Sequence, residues 1–158
     1  MRKRLGEILV EKKIITEEQL RQCLDEQRTT KEFLGNIFIK RKLLREEDLM
    51  RALSEQFCLP CMDLKISYVD WKLCLRFSVF AKEGQNAFPI SDEEDAVVVA
   101  VSDPLDANSI NSIEERVRPK KLKLVLVTQS ALKELLVECH KRSRSSLMNL
   151  LDEKEKDV

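Results

Sequence analysis

Few residues in this chain have the types and spacing to do chemistry. Cys58-Leu59-Pro60-Cys61 is a C-x-x-C pair, and Cys139-His140 joins a thiol to the sole histidine among 158 residues. In a redox protein such a pair sits where a strand meets a helix start, and the helix dipole lowers the thiol pKa. Here it follows the end of a helical pattern, where the dipole disfavours a thiolate. A zinc site would need two more ligands, and adjacent residues on a helix point about 100° apart, so Cys139 and His140 chelate poorly. The odd count of five cysteines suits a reducing cytoplasm better than a disulfide framework.

Glycine is scarcer still. Gly6, Gly35 and Gly84 are the only three, against roughly 7% in average proteins. Neither a phosphate loop nor a G-x-G-x-x-G turn can be written from them, and one histidine cannot supply H-E-x-x-H. A nucleophile triad would have to use His140, inside the charged stretch 138–142. The expectation is a chain without catalytic residues, metal or required cofactor.

Charge excludes more. Lys plus Arg and Asp plus Glu both count 28, so the net charge is zero and the basic excess of a nucleic-acid binder is missing. With 43% hydrophobic residues a core is expected rather than disorder. The longest apolar run, Ala96 to Val101, is strand-sized, so direct membrane insertion is not expected. The basic start Met1-Arg2-Lys3-Arg4-Leu5 leads into Glu7 and Glu11, unlike a secretory signal. A cytoplasmic location follows as the expectation.

The elements that position any site come from a tandem repeat. Shifted by 29 positions, residues 4–27 align without gaps on residues 33–56, with ten of 24 positions identical. Internal repeats of this kind take precedence over other patterns. Leu5, Ile8, Leu9 and Leu34, Ile37, Phe38 follow the i, i+3, i+4 rule of an amphipathic helix. A break follows at Ile14-Ile15 and Leu43-Leu44, and Thr16 with Gln19 forms a capping box for the next helix. Arg45 replaces that cap in the second copy. Four short helices of pseudo-two-fold character are expected.

Gly6 and Gly35 occupy the same place in both copies, where a helical glycine costs about 1 kcal/mol relative to alanine. Either a neighbouring helix or a ligand approaches the backbone there. Gln27 and Gln56 are either solvated residues closing a helix or amides that read a purine edge.

From Phe57 the pattern changes. Residues 68–85 predict one or two short helices ended by Gly84. Strands are expected at 86–90 and 96–101 around an acidic turn, then a helix over 108–117, a strand near 122–127, and a last helix from Thr128 to about Arg142. This is an α+β chain: a four-helix lobe over 1–57, a small α/β sandwich over 58–142, and a linker or tail over 143–158. Asp103 reads as a turn residue. Arg116, Arg118, Lys120, Lys121 and Lys123 form the one basic cluster, a solvated rim or a face for an acidic partner.

The R-L-G-x-x-L-V-x(3)-I-I-x(4)-L-x(3)-L-x-x-Q run of residues 4–27 resembles the first half of a tandem motif in a known family. That family is the amino-terminal domains of type II secretion and type IV pilus assembly ATPases. The second copy follows after the five-residue spacer Arg28 to Glu32. Leu59-Pro60 with Met62-Asp63-Leu64, Phe88-Pro89-Ile90, and Val99 to Pro104 resemble further segments of it. The resemblance covers residues 3–142. It implies a non-catalytic regulatory or docking domain that links a motor to an inner-membrane platform protein, with a separate ATPase core as a further partner.

In some members the tandem motif binds cyclic di-GMP, whose two halves a duplicated motif could meet alike. Carried over by position, Arg4 would engage a guanine, Gln27 and Gln56 would read base edges, and Leu5-Gly6 and Leu34-Gly35 would offer backbone amides. Leu9, Val10, Leu20, Leu24, Phe38, Leu49 and Leu53 would form the apolar bed. Phe33 stands where the family has arginine at the head of the second copy, and Lys13 and Lys42 stand where it favours glycine.

Overall fold

The computed structural model describes residues 3–82 and 84–156; Met1 and Arg2 of the basic start and the last two residues of the expected tail lie outside the described residues. The chain divides into two units, Met1–Cys61 and Met62–Val158.

The first unit is helical, with α1 (Leu5–Glu11), α2 (Glu17–Thr30), α3 (Leu34–Lys40) and α4 (Glu46–Phe57). Helix α1 packs on α2 and α4, and α2 packs on α3. Repeat-equivalent residues bury together: Ile8 with Ile37, Leu9 with Phe38, Ile15 with Leu44, and Cys23 with Ala52. Helices α1 and α3 have seven residues each, too short to persist alone, so this shared core holds them.

The second unit begins with two 3₁₀ turns (Ile66–Tyr68 and Ser78–Phe80) around α5 (Trp71–Arg76). Then come β1 (Ala87–Asp92), β2 (Ala96–Val101), α6 (Ala107–Val117), β3 (Lys121–Leu126) and α7 (Gln129–Lys156). The sheet order is β1-β2-β3, antiparallel then parallel. All six residues of β2 are buried, as expected of a central strand with both faces covered. Pro89 sits on the edge strand β1 beside a register shift, where its missing N–H is tolerated. The unit is thus α+β, with α5 and α6 packed on β1 and α7 packed on α5.

Three local expectations change. Gly84 adopts φ +84° in the turn before β1, and the nearest preceding helical turn ends at Phe80, so it does not cap a helix. Strand β1 extends through Ser91 and Asp92, narrowing the acidic hairpin, because past the register shift their backbones pair with Val98 and Val97 of β2. Helix α7 continues past Arg142 to Lys156, so residues 143–156, read as a linker or tail, are helical. That segment has no glycine or proline to stop a helix, and its leucines, lysines and glutamates favour one. Beyond Ser143 all its described residues are exposed, including Leu147, Met148, Leu150 and Leu151.

Candidate functional site

The two copies of the repeat build the same backbone. After α1, Lys13 N–H bonds to Val10 O at 3.0 Å and Ile14 N–H to Leu9 O at 3.0 Å. After α3, Lys42 N–H bonds to Ile39 O at 2.9 Å and Leu43 N–H to Phe38 O at 3.0 Å. These paired 5→2 and 6→1 bonds are Schellman motifs, which require a left-handed residue at their centre. Lys13 and Lys42 are those residues, each at φ 58°. Glycine would fit these two positions for a backbone reason, and lysine occupies them here under strain.

Entry into the longer helices differs slightly. Thr16 Oγ1 accepts from Gln19 N–H at 3.1 Å while Gln19 Oε1 accepts from Thr16 N–H at 2.9 Å. In the second copy only the return bond survives, from Arg45 N–H to an Asp48 oxygen at 3.4 Å.

Ion pairs follow the pseudo-two-fold relation. Lys12 meets Glu55 at 2.6 Å, and the equivalent Arg41 meets Glu26 at 2.6 Å. Lys3 meets Glu11 at 2.7 Å; at the equivalent positions Glu32 meets Lys40 at 2.8 Å, with the charges exchanged. Each pair is partly exposed and contributes at most about 1 kcal/mol, so their significance is the matched register.

Both repeated glycines lie against a leucine of the following helix. A Cβ on Gly6 would fall 2.4 Å from Leu20 Cδ1, and one on Gly35 would fall 2.8 Å from Leu49 Cδ1. Leu20 and Leu49 are themselves repeat-equivalent. Of the two sequence-level explanations for these glycines, the structure supports a neighbouring helix.

The remaining residues of the expected ligand set separate by burial. Leu5, Leu9, Phe38, Leu49 and Leu53 are core. Val10, Leu20, Leu34, Gln27, Gln56 and Phe33 are half-buried, and Arg4 and Leu24 are exposed. The copies are unequal here: Leu24 is 37% exposed, whereas its equivalent Leu53 is 1% exposed. Gln27 Nε2 donates to Glu32 O at 3.0 Å, so its amide pins the end of α2 to the spacer and leaves its oxygen as the acceptor. The Phe33 ring reaches Gly35, two residues on, with Cε1 2.8 Å from the Gly35 Cβ position. Arg4 directs its backbone N–H to Glu7 at 3.0 Å.

The other chemistry-bearing residues are placed as follows. Cys58 is exposed and left-handed at the end of α4, and the exposed Cys61 donates its thiol to Met50 O. His140 Nε2 bonds to Ala81 O. Burial pushes the Cys74 thiol up to about 12, and burial raises Cys139 and Cys23 as well. Asp103 Oδ1 accepts from Leu105 N–H at 2.9 Å in a turn, and its partial burial raises its pKa. Among the described residues no cluster of His, Cys, Asp or Glu could hold a metal ion. Among the same residues no helix is long and apolar enough to cross a membrane.

Sequence reasoning missed one feature, a cleft of about 340 Å³ in the second unit where Arg76 and Asp92 join the basic cluster of residues 116–120. Its members come from α5 and the residue after it, β1, β2, the end of α6 and the segment that follows α6, so no linear motif announces it.

Comparison with known proteins agrees with this architecture. The MshEN domain model matches residues 57–146, more than half of the chain. The structure of MshE with cyclic di-GMP superposes at a TM-score of 0.74 with 31% identity, covering 87% of this chain and 99% of that one. The N-terminal domain of XpsE superposes at 0.60 with 16% identity, covering 86% and 96%, and so shares the fold. None of the curated proteins matches in sequence. The chain belongs to the MshEN domain family, the amino-terminal domains of type II secretion and type IV pilus ATPases.

Proposed function

We propose that this chain is a regulatory, non-catalytic domain of a secretion or pilus motor, and that its helical unit binds cyclic di-GMP across the duplicated motif. The observation that carries the reading is the 31% identity, over nearly all of its length, to an MshE chain whose structure contains that nucleotide. The repeated Schellman turns and matched ion pairs support it, because a two-fold ligand needs two like half-sites. Arg4 supplies the cation at the first copy, where an exposed guanidinium can meet a guanine edge or phosphate. Gln27 keeps its oxygen as an acceptor for guanine N–H groups. Phe33 offers a ring face for stacking at the second copy, without a charge. Half-exposed Leu20 and Leu24, four residues apart on α2, form the accessible part of the apolar bed. Such a domain works in the cytoplasm, peripheral to the inner membrane through its partner.

Calorimetric titration of the intact chain with cyclic di-GMP tests this. Saturation at about 100 times Kd should stabilise the helical unit by roughly 2.7 kcal/mol. Arg4→Ala should weaken binding by about tenfold, as expected for one charge-assisted contact. Phe33→Arg should tighten it by restoring the family's cation. The absence of both heat and thermal stabilisation at millimolar nucleotide would remove the sensor reading. Docking onto an inner-membrane platform protein is the second role, and the basic cleft of the second unit favours it.

A further inference from the structure

The cleft in the second unit is a concentrated positive site in a chain of zero net charge. Arg76 closes α5, Arg116 lies in the last turn of α6, and Arg118 and Lys120 lie between α6 and β3. Among the described residues Asp92 is the one carboxylate in the wall. It takes Lys120 Nζ at 2.5 Å and reaches Arg76 at 3.4 Å, and the Lys120 hydrogen bond holds its carboxyl below the ordinary range. Four cationic groups against one acid leave an excess of three. The carboxyl end of α6 offsets roughly half a charge, so it cannot cancel the field.

Among the described residues, two of the cations have no carboxylate partner. The Arg116 guanidinium lies over the Phe80 ring, 4.2 Å from its centroid, which holds the group without using its N–H donors. Among the described residues neither Arg116 nor Arg118 pairs with a carboxylate. Phe77, Val97 and Val117 give the recess an apolar floor. A volume of about 340 Å³ lies at the bottom of the range for small-molecule pockets, a space for one or two side chains rather than a dinucleotide. Guanidinium forks match carboxylates in a bidentate geometry.

We propose that this cleft docks an acidic segment of a partner protein, whose carboxylates engage Arg116 and Arg118 beside an apolar side chain on the Phe77–Val117 floor. It rests on the docking reading of the domain and is independent of nucleotide binding. Binding of this kind is electrostatic, so it weakens as the screening length falls from about 10 Å at 0.1 M salt to about 3 Å at 1 M.

The test uses the full chain and a fluorescein-labelled peptide of alternating glutamate and leucine, followed by anisotropy. A lysine–leucine peptide and inorganic phosphate serve as the other arms. The acidic peptide should bind, lose affinity with salt, and bind roughly tenfold more weakly to the double variant Arg116→Gln/Arg118→Gln. Arg118→Gln alone leaves the Phe80 stacking intact, so its intermediate loss keeps the result interpretable if Arg116→Gln unfolds. Arg28→Gln, on an exposed helix of the other unit, should change nothing. Equal binding by the variants, or by the lysine peptide, overturns the proposal. Complete displacement by millimolar phosphate also overturns it and assigns the cleft to a phosphate ligand. A pull-down with the cognate platform protein that survives both arginine substitutions would leave docking intact and reject this cleft as its place.

Discussion

Replacing Lys13 or Lys42 with glycine should stabilise the helical unit. Both residues sit at φ 58° inside a Schellman turn whose two backbone bonds close at 2.9–3.0 Å. The conformation is therefore fixed by the helix end and not chosen by the side chain. A non-glycine residue held there costs about 1–2 kcal/mol. Glycine removes that cost but gives back about 0.5–1 kcal/mol through the entropy of the unfolded chain. The net expectation is a gain of roughly 0.5–1 kcal/mol at each site. Neither lysine forms an ion pair among the described residues, so removing the side chain subtracts little. The double variant should gain about the sum, as independent sites usually do. In a domain of 60–100 residues, 1 kcal/mol moves Tm by about 4–8 °C. Trp71, the only tryptophan, lies in the second unit, so unfolding of the first is best followed by helical circular dichroism against denaturant. Lys13→Ala and Lys42→Ala are the controls, since alanine keeps the left-handed strain and should change stability by less than about 0.5 kcal/mol. If the glycine variants are no more stable than the alanine variants, the backbone account of these positions is wrong.

The glycines Gly6 and Gly35 should respond unequally to alanine. At Gly6 the new Cβ meets the end of half-exposed Leu20, which can swing aside, so the helix-propensity gain of about 1 kcal/mol leaves the change near neutral. At Gly35 it meets both methyls of buried Leu49 and the Phe33 ring, and overpacking of about 1–3 kcal/mol should leave a net loss near 1 kcal/mol. Equal losses in thermal melts would contradict this. In the second unit, burial pushes Asp106 up. Bonds from the Ser109 hydroxyl, the Asn86 amide and the Ser109 and Asn108 backbone N–H groups bring its pKa below the ordinary value. Its stabilisation is then present above the unfolded carboxylate range and lost as pH falls through the lowered value. Asp106→Ala, which also removes the N-cap of α6, should cost about 1 kcal/mol at neutral pH and progressively less in acid. A denaturation series showing a pH-independent difference would refute the linkage.

How much of this was legible in the sequence varies with the kind of interaction. Helices α1 to α4 were readable because duplication doubles a weak amphipathic signal. The end of α7 was not, because local composition continued the helix where no packing marked a boundary. Gly84 misled for a related reason: a positive φ identifies a turn but not which element precedes it. The basic cleft was half visible. Arg116 to Lys120 are neighbours in sequence, whereas Arg76 and Asp92 join them through the pairing of β1, β2 and β3 and the packing of α5 and α6 on β1.

The candidate nucleotide site shows the same division between what identity reveals and what geometry adds. Matching identical residues between the copies passes over Lys3 against Glu32 and Glu11 against Lys40, since each position reverses its charge. Yet the two bridges form at 2.7 and 2.8 Å in equivalent places, because the pair is preserved even though neither charge is. The symmetry of the scaffold is thus closer than ten identities in 24 suggest. The asymmetry lies at the positions proposed to face the nucleotide, where Arg4 is opposed by Phe33 and the exposed Leu24 by the buried Leu53. A two-fold ligand on this scaffold would meet a charged, open half and a stacking, closed one. Its binding energy would then concentrate in the first copy: Arg4→Ala should cost more affinity than Phe33→Ala, and the reverse order would refute that assignment.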